Sequence, residues 1–177
     1  MKRVLFTICA VLVGLSAFAG NPVKVVKSNE NLKGFMKKDV AAVLIIDWAK
    51  TKFDNKKAAS AEFGKDWAFI KKDCAEKFIE EFNDKSKGIK LQDYAKGAKY
   101  KFVFTVTNVD DHVNVMGYGP RTEAKIWGTL KIVEAGAKGK TIAEIQIDEA
   151  EDGVDYVRKE AYGKTMKLLA KRIAKLK

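Results

Sequence analysis

Two stretches of the chain repeat apolar residues at intervals of three and four, the period of an α-helix. The first runs from residue 66 to about 83 and the second from about 155 to 175, with charged residues between the apolar positions of each. The spacing predicts two amphipathic helices that each bury one face. The apolar positions are Trp67, Ile70, Cys74, Phe78 and Phe82 in the first helix, and Tyr162, Met166, Leu169, Ile173 and Leu176 in the second.

Several other stretches have the patterns of β-strands. Apolar residues alternate with polar ones in residues 100–109, 124–132 and 143–147, which predicts three strands with one buried face each. The segment AGAKGK predicts a hairpin loop between the last two. Residues 40–46 are continuously apolar, which predicts a central strand covered on both faces. A short strand is expected at 23–26, and the polar stretch 52–65 is expected to be a loop.

The order of these elements favours an α+β fold. We expect a mostly antiparallel sheet of about four to five strands, with the two amphipathic helices packed on one of its faces. No linker or repeat divides residues 20–177. This length of roughly 158 residues is enough for one domain that buries about two thirds of the unfolded surface.

The first nineteen residues have the layout of a secretory signal peptide. Lys2 and Arg3 precede an apolar run over residues 4–15, and Ala17-Phe18-Ala19 forms a cleavage site of small residues. The apolar run is shorter than the about 20 residues that a membrane-spanning helix needs. We therefore expect export to the periplasm or the exterior, and no transmembrane helix in the mature chain.

Removal of this segment changes the charge and the cysteine count. The full chain carries a net charge of +11, and the mature chain keeps 32 Lys and Arg against 23 Asp and Glu, which gives +9. Cys9 is lost with the segment, so Cys74 has no partner for an internal disulfide. Its place on the apolar stripe favours a buried core residue over a reactive thiol.

Positive charge is concentrated in the last predicted helix. Residues 155–177 contain eight basic and two acidic side chains. At about 100° per residue, four lysines form one stripe opposite the apolar face. The stripe is either a solvated helix face or a contact for an anionic surface such as lipid headgroups or acidic polysaccharide. Its members are Lys164, Lys167, Lys171 and Lys175.

Two places in the sequence offer candidate catalytic groups. Asp47 ends the continuous apolar strand, where a carboxylate either returns the chain to solvent or serves a site. Asp110, Asp111 and His112 lie together in the segment DDHVNVMGYGPR, which also has the glycines and proline of a turn. His112 is the single histidine, so three or four ligands of a zinc site are not at hand and no cofactor is expected. We interpret the segment mainly as a connector between strands.

A second acidic cluster lies in the segment DEAEDGVD. Its carboxylates are candidate calcium ligands, since calcium takes six to eight oxygen ligands. The spacing does not match an EF-hand loop, and acidic residues before a helix also interact favourably with its dipole, with Asp155 as a possible cap. The calcium candidates are Asp148, Glu149, Glu151 and Asp152.

Several segments together resemble small secreted proteins of gut-type anaerobic bacteria that have no assigned activity. They are VLIIDWAKTKFD, FIEEFN, AKYKFVFTVTNV, KIWGTLKIVEA, TIAEIQID and RKEAYGKTMKLLAKRI. The closing Glu-Ala-Tyr-x-x-Gly-Lys pattern of those proteins is shortened here to residues 160–164. The resemblance covers most of residues 40–177 and implies the fold and an exported location, but no catalytic or binding residue.

These observations favour a non-enzymatic binding or interaction module of the cell envelope or exterior. The alternative is a hydrolase-like enzyme that uses carboxylates. The spacing of the acidic residues does not show which two of them would form a catalytic pair. The expected partner of the binding module is an envelope protein or an anionic surface. Nucleic acid is not expected as a partner, because no aromatic residues are interleaved with the basic stripe.

Overall fold

The computed structural model describes residues 21–115, 120–136 and 139–176. The predicted signal peptide and Gly117 and Gly119 of the DDHVNVMGYGPR segment lie outside these ranges. The strands are β1 (Val23–Ser28), β2 (Ala41–Asp47), β3 (Lys52–Phe53), β4 (Lys57–Ala58), β5 (Lys90–Gln92), β6 (Tyr100–Val115), β7 (Pro120–Glu134) and β8 (Thr141–Asp155). The helices are α1 (Leu32–Phe35), α2 (Ala59–Phe63), α3 (Trp67–Lys85) and α4 (Arg158–Ile173), with a 3₁₀ turn at Gly64–Asp66.

The sheet differs from the predicted one, and the expectation of four to five mostly antiparallel strands is wrong. The described residues form an eight-stranded mixed sheet, in which six strands follow the order β1-β8-β7-β6-β2-β5. β2 runs parallel to both β5 and β6, and β3 runs parallel to the far part of β6. The other pairs are antiparallel.

The position of β2 also differs from the prediction. β5 pairs with only the first three residues of β2, so the far half of the strand has β6 as its one neighbour among the described residues. Ala42, Val43 and Leu44 are buried, but Ile45 is 42% exposed on the face away from the helices. β2 is therefore a strand next to the sheet edge and is not covered on both faces.

The two long helices bury their predicted stripes against one face of the sheet. The buried side chains of α3 are the five predicted ones, including Cys74, and those of α4 include Tyr162, Met166, Leu169 and Ile173. The Phe82 ring meets the Phe102 ring of β6 edge to face at 5.5 Å. Cys74 is a core residue, as predicted, and burial raises the pKa of its thiol well above the usual value. The described residues thus form one α+β domain with one core.

Strands β6, β7 and β8 are longer than predicted and bend at β-bulges. Bulges interrupt the β6–β7 register between Val106 and Asn108 and the β7–β8 register between Ile126 and Gly128. At Gly128 a Cβ atom would lie 2.4 Å from the carbonyl oxygen of Thr105, so the strands approach too closely for any side chain. The bend carries the far part of β6 alongside the start of α4.

The segment DEAEDGVD is part of β8 and does not precede the helix as a loop. β8 continues to Asp155, and α4 begins at Arg158. No helix in the described ranges is long and apolar enough to cross a membrane.

Candidate functional site

A cleft of about 480 Å³ opens where β2 leaves the sheet. It lies between the end of β2, the following loop, α2 and the first turns of α3. We call it the Trp48 cleft. Its lining residues are Ile46, Asp47, Trp48, Ala49, Ser60, Trp67 and Lys71.

Aromatic rings form the fixed wall of the Trp48 cleft. Trp48 is half-buried, and its ring meets the Trp67 ring edge to face at 5.2 Å and 81°. Trp67 is only 9% exposed and stacks at 5.6 Å on Phe63, which in turn meets Tyr162 of α4 edge to face. Because the aromatic rings behind Trp48 are packed into the core, its position is set before any ligand arrives.

Backbone hydrogen bonds hold the loop that carries Trp48. The Thr51 amide donates to the Trp48 carbonyl at 3.2 Å, and the buried Thr51 hydroxyl donates to the Val106 carbonyl at 2.8 Å. The Ala59 amide at the start of α2 donates to the Thr51 carbonyl at 3.0 Å. The loop is therefore tied to β6, which lies beside β2 in the sheet, and to α2, which lines the cleft.

The polar groups of the Trp48 cleft come from three elements. Asp47 Oδ1 accepts a hydrogen bond from the Ala49 amide at 2.9 Å, which orients the carboxylate and leaves Oδ2 accessible. Ser60 and Lys71 are exposed, and within the described residues neither side chain has a hydrogen-bond or ion-pair partner. A carboxylate, a hydroxyl and an ammonium group thus line one cleft beside an aromatic ring.

A second group of charged side chains joins the far part of β6 to α2 and α4. Arg158 Nε donates to Asp111 Oδ1 and Oδ2 at 3.1 and 2.9 Å, and Arg158 Nη2 donates to Glu62 at 2.7 Å. The Tyr162 hydroxyl also donates to Asp111. We call Glu62, Asp111, Arg158 and Tyr162 the Arg158 cluster.

The two carboxylates of the Arg158 cluster are nearly buried and share the partly exposed Arg158 cation, and Lys57 is a second cation on Glu62. The guanidinium lies over the rings of Phe63 and Phe53, at 4.8 and 5.4 Å from their centroids. Burial, together with the Asp111 carboxylate, raises the pKa of Tyr162, which stays protonated and donates. A smaller cleft of about 250 Å³ lies beside Glu62 and Arg158. Because its cation and carboxylates satisfy one another, the cluster is suited to holding α4 against β6.

The candidates Asp110, Asp111 and His112 do not converge. Successive side chains of a strand point to opposite faces, so Asp111 faces α4 while Asp110 and His112 face the other way. His112 Nε2 lies 2.9 Å from a carboxylate oxygen of Glu123 on β7, at the surface. Asp47 pairs with Thr105, six residues before Asp111, which places it roughly 20 Å from Asp111 along the sheet.

The calcium candidates lie along β8. Lys125 Nζ contacts Glu149 at 2.5 Å and Glu151 at 3.2 Å, so the two carboxylates share one ammonium group. The side chain of Asp152 lies outside the described residues. Within the described part of the chain, no group of three or more His, Cys, Asp or Glu is placed to hold a metal ion.

The lysine stripe lies on the solvent side of α4, and one of its members is paired. Lys164 Nζ lies 2.7 Å from Asp155, and this interaction lowers the pKa of the Asp155 carboxyl. Asp155 also accepts from the Val157 amide at 3.1 Å, directly before the helix begins. Lys171 and Lys175 are exposed and Lys167 is half-buried. Contact of the stripe with an anionic surface stays a prediction.

Sequence reasoning identified Asp47 and Asp111 but none of their neighbours. The apolar spacing places Trp67 in the core, Ser60 falls in a predicted loop, and Arg158 enters the prediction only through the charge of the last helix. The neighbouring tryptophan Trp48 was the one sequence feature that could have marked the cleft.

Comparisons with known proteins add little. No protein-family model matches the chain, and no curated protein matches it. Among solved structures, it is similar to the PelC dodecamer from Paraburkholderia phytofirmans, with 10% identity, a TM-score of 0.41, and coverage of 85% of this chain and 94% of that one. It is also similar to a neuraminyllactose-binding hemagglutinin homolog from Helicobacter pylori, with 15% identity, a TM-score of 0.35, and coverage of 77% and 83%. At these scores the likeness supports neither a fold nor a function.

Proposed function

We propose that this protein is an exported, non-enzymatic binding module of the bacterial envelope or exterior, and that it binds its ligand in the Trp48 cleft. Export rests on the signal-peptide pattern of residues 1–19. The binding site rests on one observation, the convergence of Asp47, Ser60 and Lys71 beside the Trp48 ring. Binding sites typically combine an apolar wall with a few polar groups that orient the ligand.

The alternative is a hydrolase-like enzyme that uses carboxylates. A glycosidase mechanism requires two carboxyl groups within about 5 to 10 Å of one another. Asp47 is the one carboxylate among the described residues that line the Trp48 cleft. Asp111, a candidate acid whose side chain is nearly buried, is held by Arg158 and Tyr162. The arrangement therefore favours binding over catalysis.

The experiment is site-specific photo-crosslinking in the host. A benzophenone amino acid replaces Ala49, which is exposed in the cleft, and in a matched control it replaces Lys27, which is exposed on β1. We expect one recurrent adduct from position 49 that is missing from position 27 and is lost when Trp48→Ala is added. Equal capture from both positions, or no adduct at position 49, would contradict a ligand site in this cleft.

A further inference from the structure

We infer that the ligand of the Trp48 cleft is a neutral glycan built from pyranose rings. This inference rests on the proposed binding function and adds the chemical class of the ligand. The argument uses the shape of the aromatic wall, the types of polar groups and the charge of the cleft.

The aromatic wall supplies a partly exposed indole ring, that of Trp48. Trp48 keeps part of its ring exposed, while Trp67 holds it from the side and is itself stacked on Phe63. A pyranose has a face of C–H groups, and polarised C–H groups are attracted to the negative face of an aromatic ring. The packed rings supply this platform at little cost in side-chain entropy.

The polar groups match the hydroxyls at the edge of a sugar. Asp47 Oδ2 accepts hydrogen bonds, Lys71 Nζ donates them, and the Ser60 hydroxyl does both. Asp47 is fixed by the Ala49 amide at 2.9 Å, so its free oxygen has a set direction. A sugar edge with neighbouring hydroxyls both donates and accepts, and it can satisfy all three groups together.

The charge of the cleft favours a neutral ligand. Asp47 and Lys71 carry opposite charges, so the lining residues contribute no net charge for a phosphate or a carboxylate to neutralise. A lipid chain would leave the three polar groups without partners, which costs free energy once water is excluded. A ring with one apolar face and several hydroxyls meets both halves of the lining.

The experiment measures binding of defined oligosaccharides to the mature protein. The probes are cellopentaose, chitopentaose and mannopentaose, with pentagalacturonate as an acidic comparison. Binding is followed by calorimetry and by the indole N–H signals of the three tryptophans in NMR spectra. We expect a neutral probe to bind saturably and to shift the signals of Trp48 and Trp67 while leaving that of Trp127, which lies on β7 away from the cleft.

Variants separate the cleft from the rest of the surface. Trp48→Ala is expected to weaken binding about tenfold or more, because the stacking surface is lost. Trp127→Ala, the matched tryptophan control, should leave affinity within about twofold, because Trp127 is not among the cleft's lining residues. Ser60→Arg fills the cleft from an exposed position, so it should abolish binding without disturbing the core even where Trp48→Ala lowers stability.

The outcomes distinguish this inference from the proposed function. The inference is supported if a neutral probe binds and if both Trp48→Ala and Ser60→Arg weaken that binding. Absence of binding by all neutral probes, preference for pentagalacturonate, or binding that survives Ser60→Arg overturns it. In those cases a cleft-specific adduct at position 49 would still support a binding module of different ligand chemistry. Cleavage of a probe would overturn the non-enzymatic function itself.

Discussion

Replacement of Arg158 by Met tests whether the Arg158 cluster holds the helical layer to the sheet. Met keeps most of the aliphatic contact with the rings of Phe63 and Phe53 but removes the guanidinium. Asp111, whose side chain is 6% exposed, then keeps only the hydrogen bond from Tyr162. The substitution therefore leaves a nearly buried carboxylate without a cation.

The expected cost follows from the burial of the two partners. Breaking a fully buried ion pair by removing one partner costs about 3 to 5 kcal/mol. The Arg158 side chain is 41% exposed and Asp111 retains Tyr162, so we expect a smaller loss of about 2 to 3 kcal/mol. For a domain of this size, that loss lowers Tm by roughly 5 to 10 °C.

The assay is urea unfolding at pH 7, followed by circular dichroism and tryptophan fluorescence. Lys159→Met is the matched control, because Lys159 is the next residue and its ion pair with Asp66 is exposed, at 38% and 47%. We expect the control to change the free energy of unfolding by less than about 0.5 kcal/mol. A double-mutant cycle with Asp111→Asn should give a coupling energy of about 1 to 2 kcal/mol. If Arg158→Met costs no more than Lys159→Met, the cluster does not hold the layers together.

Three further substitutions test the packing and the ionisation of particular groups. Gly128→Ala places a Cβ 2.4 Å from the Thr105 carbonyl oxygen and should lower the free energy of unfolding in urea by at least about 2 kcal/mol; unchanged stability would contradict the close strand approach. Burial raises the pKa of Asp73 in the folded protein, so the ionised carboxylate destabilises the fold above this raised pKa. The loss of stability disappears as the pH falls and the carboxyl is protonated. Asp73→Asn should therefore raise Tm at pH 7 but not at about pH 2, and an equal gain at both would refute this. The interaction with Lys164 lowers the pKa of Asp155, so the pair stabilises the fold above the carboxyl's ordinary pKa and loses this effect as the pH falls through the folded-state value. Lys164→Gln should lower Tm at pH 7 and lower it less at about pH 2; an equal loss at both would mean that the pair is not its cause.

The helices and the long strands could be predicted because each contains enough apolar residues to show its period. The five apolar positions of α3 fix both its length and its buried face, and those of α4 do the same. The sheet could not be predicted in the same way. β3, β4 and β5 contain two or three residues each, which is too few to show an alternation.

The direction of β2 could not be predicted from the sequence for a related reason. Parallel pairing of β2 with β5 follows from the path of the chain through α3, which returns it to the same end of the sheet. Continuous apolar runs are also typical of parallel strands, and β2 is parallel to both of its neighbours. The apolar run does not show how long the neighbouring strand is. β5 ends after three residues, so Ile45 is left exposed.

The candidate catalytic residues could be found only where their type and position in the sequence were unusual. Asp47 ends an apolar strand, and Asp111 and His112 stand beside each other in the sequence. What these residues do depends on partners far away in the chain. Asp111 meets Arg158, which is 47 residues away, and Asp47 shares its cleft with Lys71 of α3. Such pairings arise from packing and leave no spacing to recognise.

The two groups of polar side chains in this fold therefore have different uses. In the Arg158 cluster each charged or hydroxyl group has a partner within the protein, so a ligand would have to replace interactions that already exist. In the Trp48 cleft the described Ser60 and Lys71 side chains have no such partner, and Asp47 has one free oxygen. A ligand that hydrogen-bonds there gains interactions without breaking any within the protein. Buried networks that are fully satisfied fix the fold, and this contrast is why we propose recognition at the cleft, whose polar groups are still available.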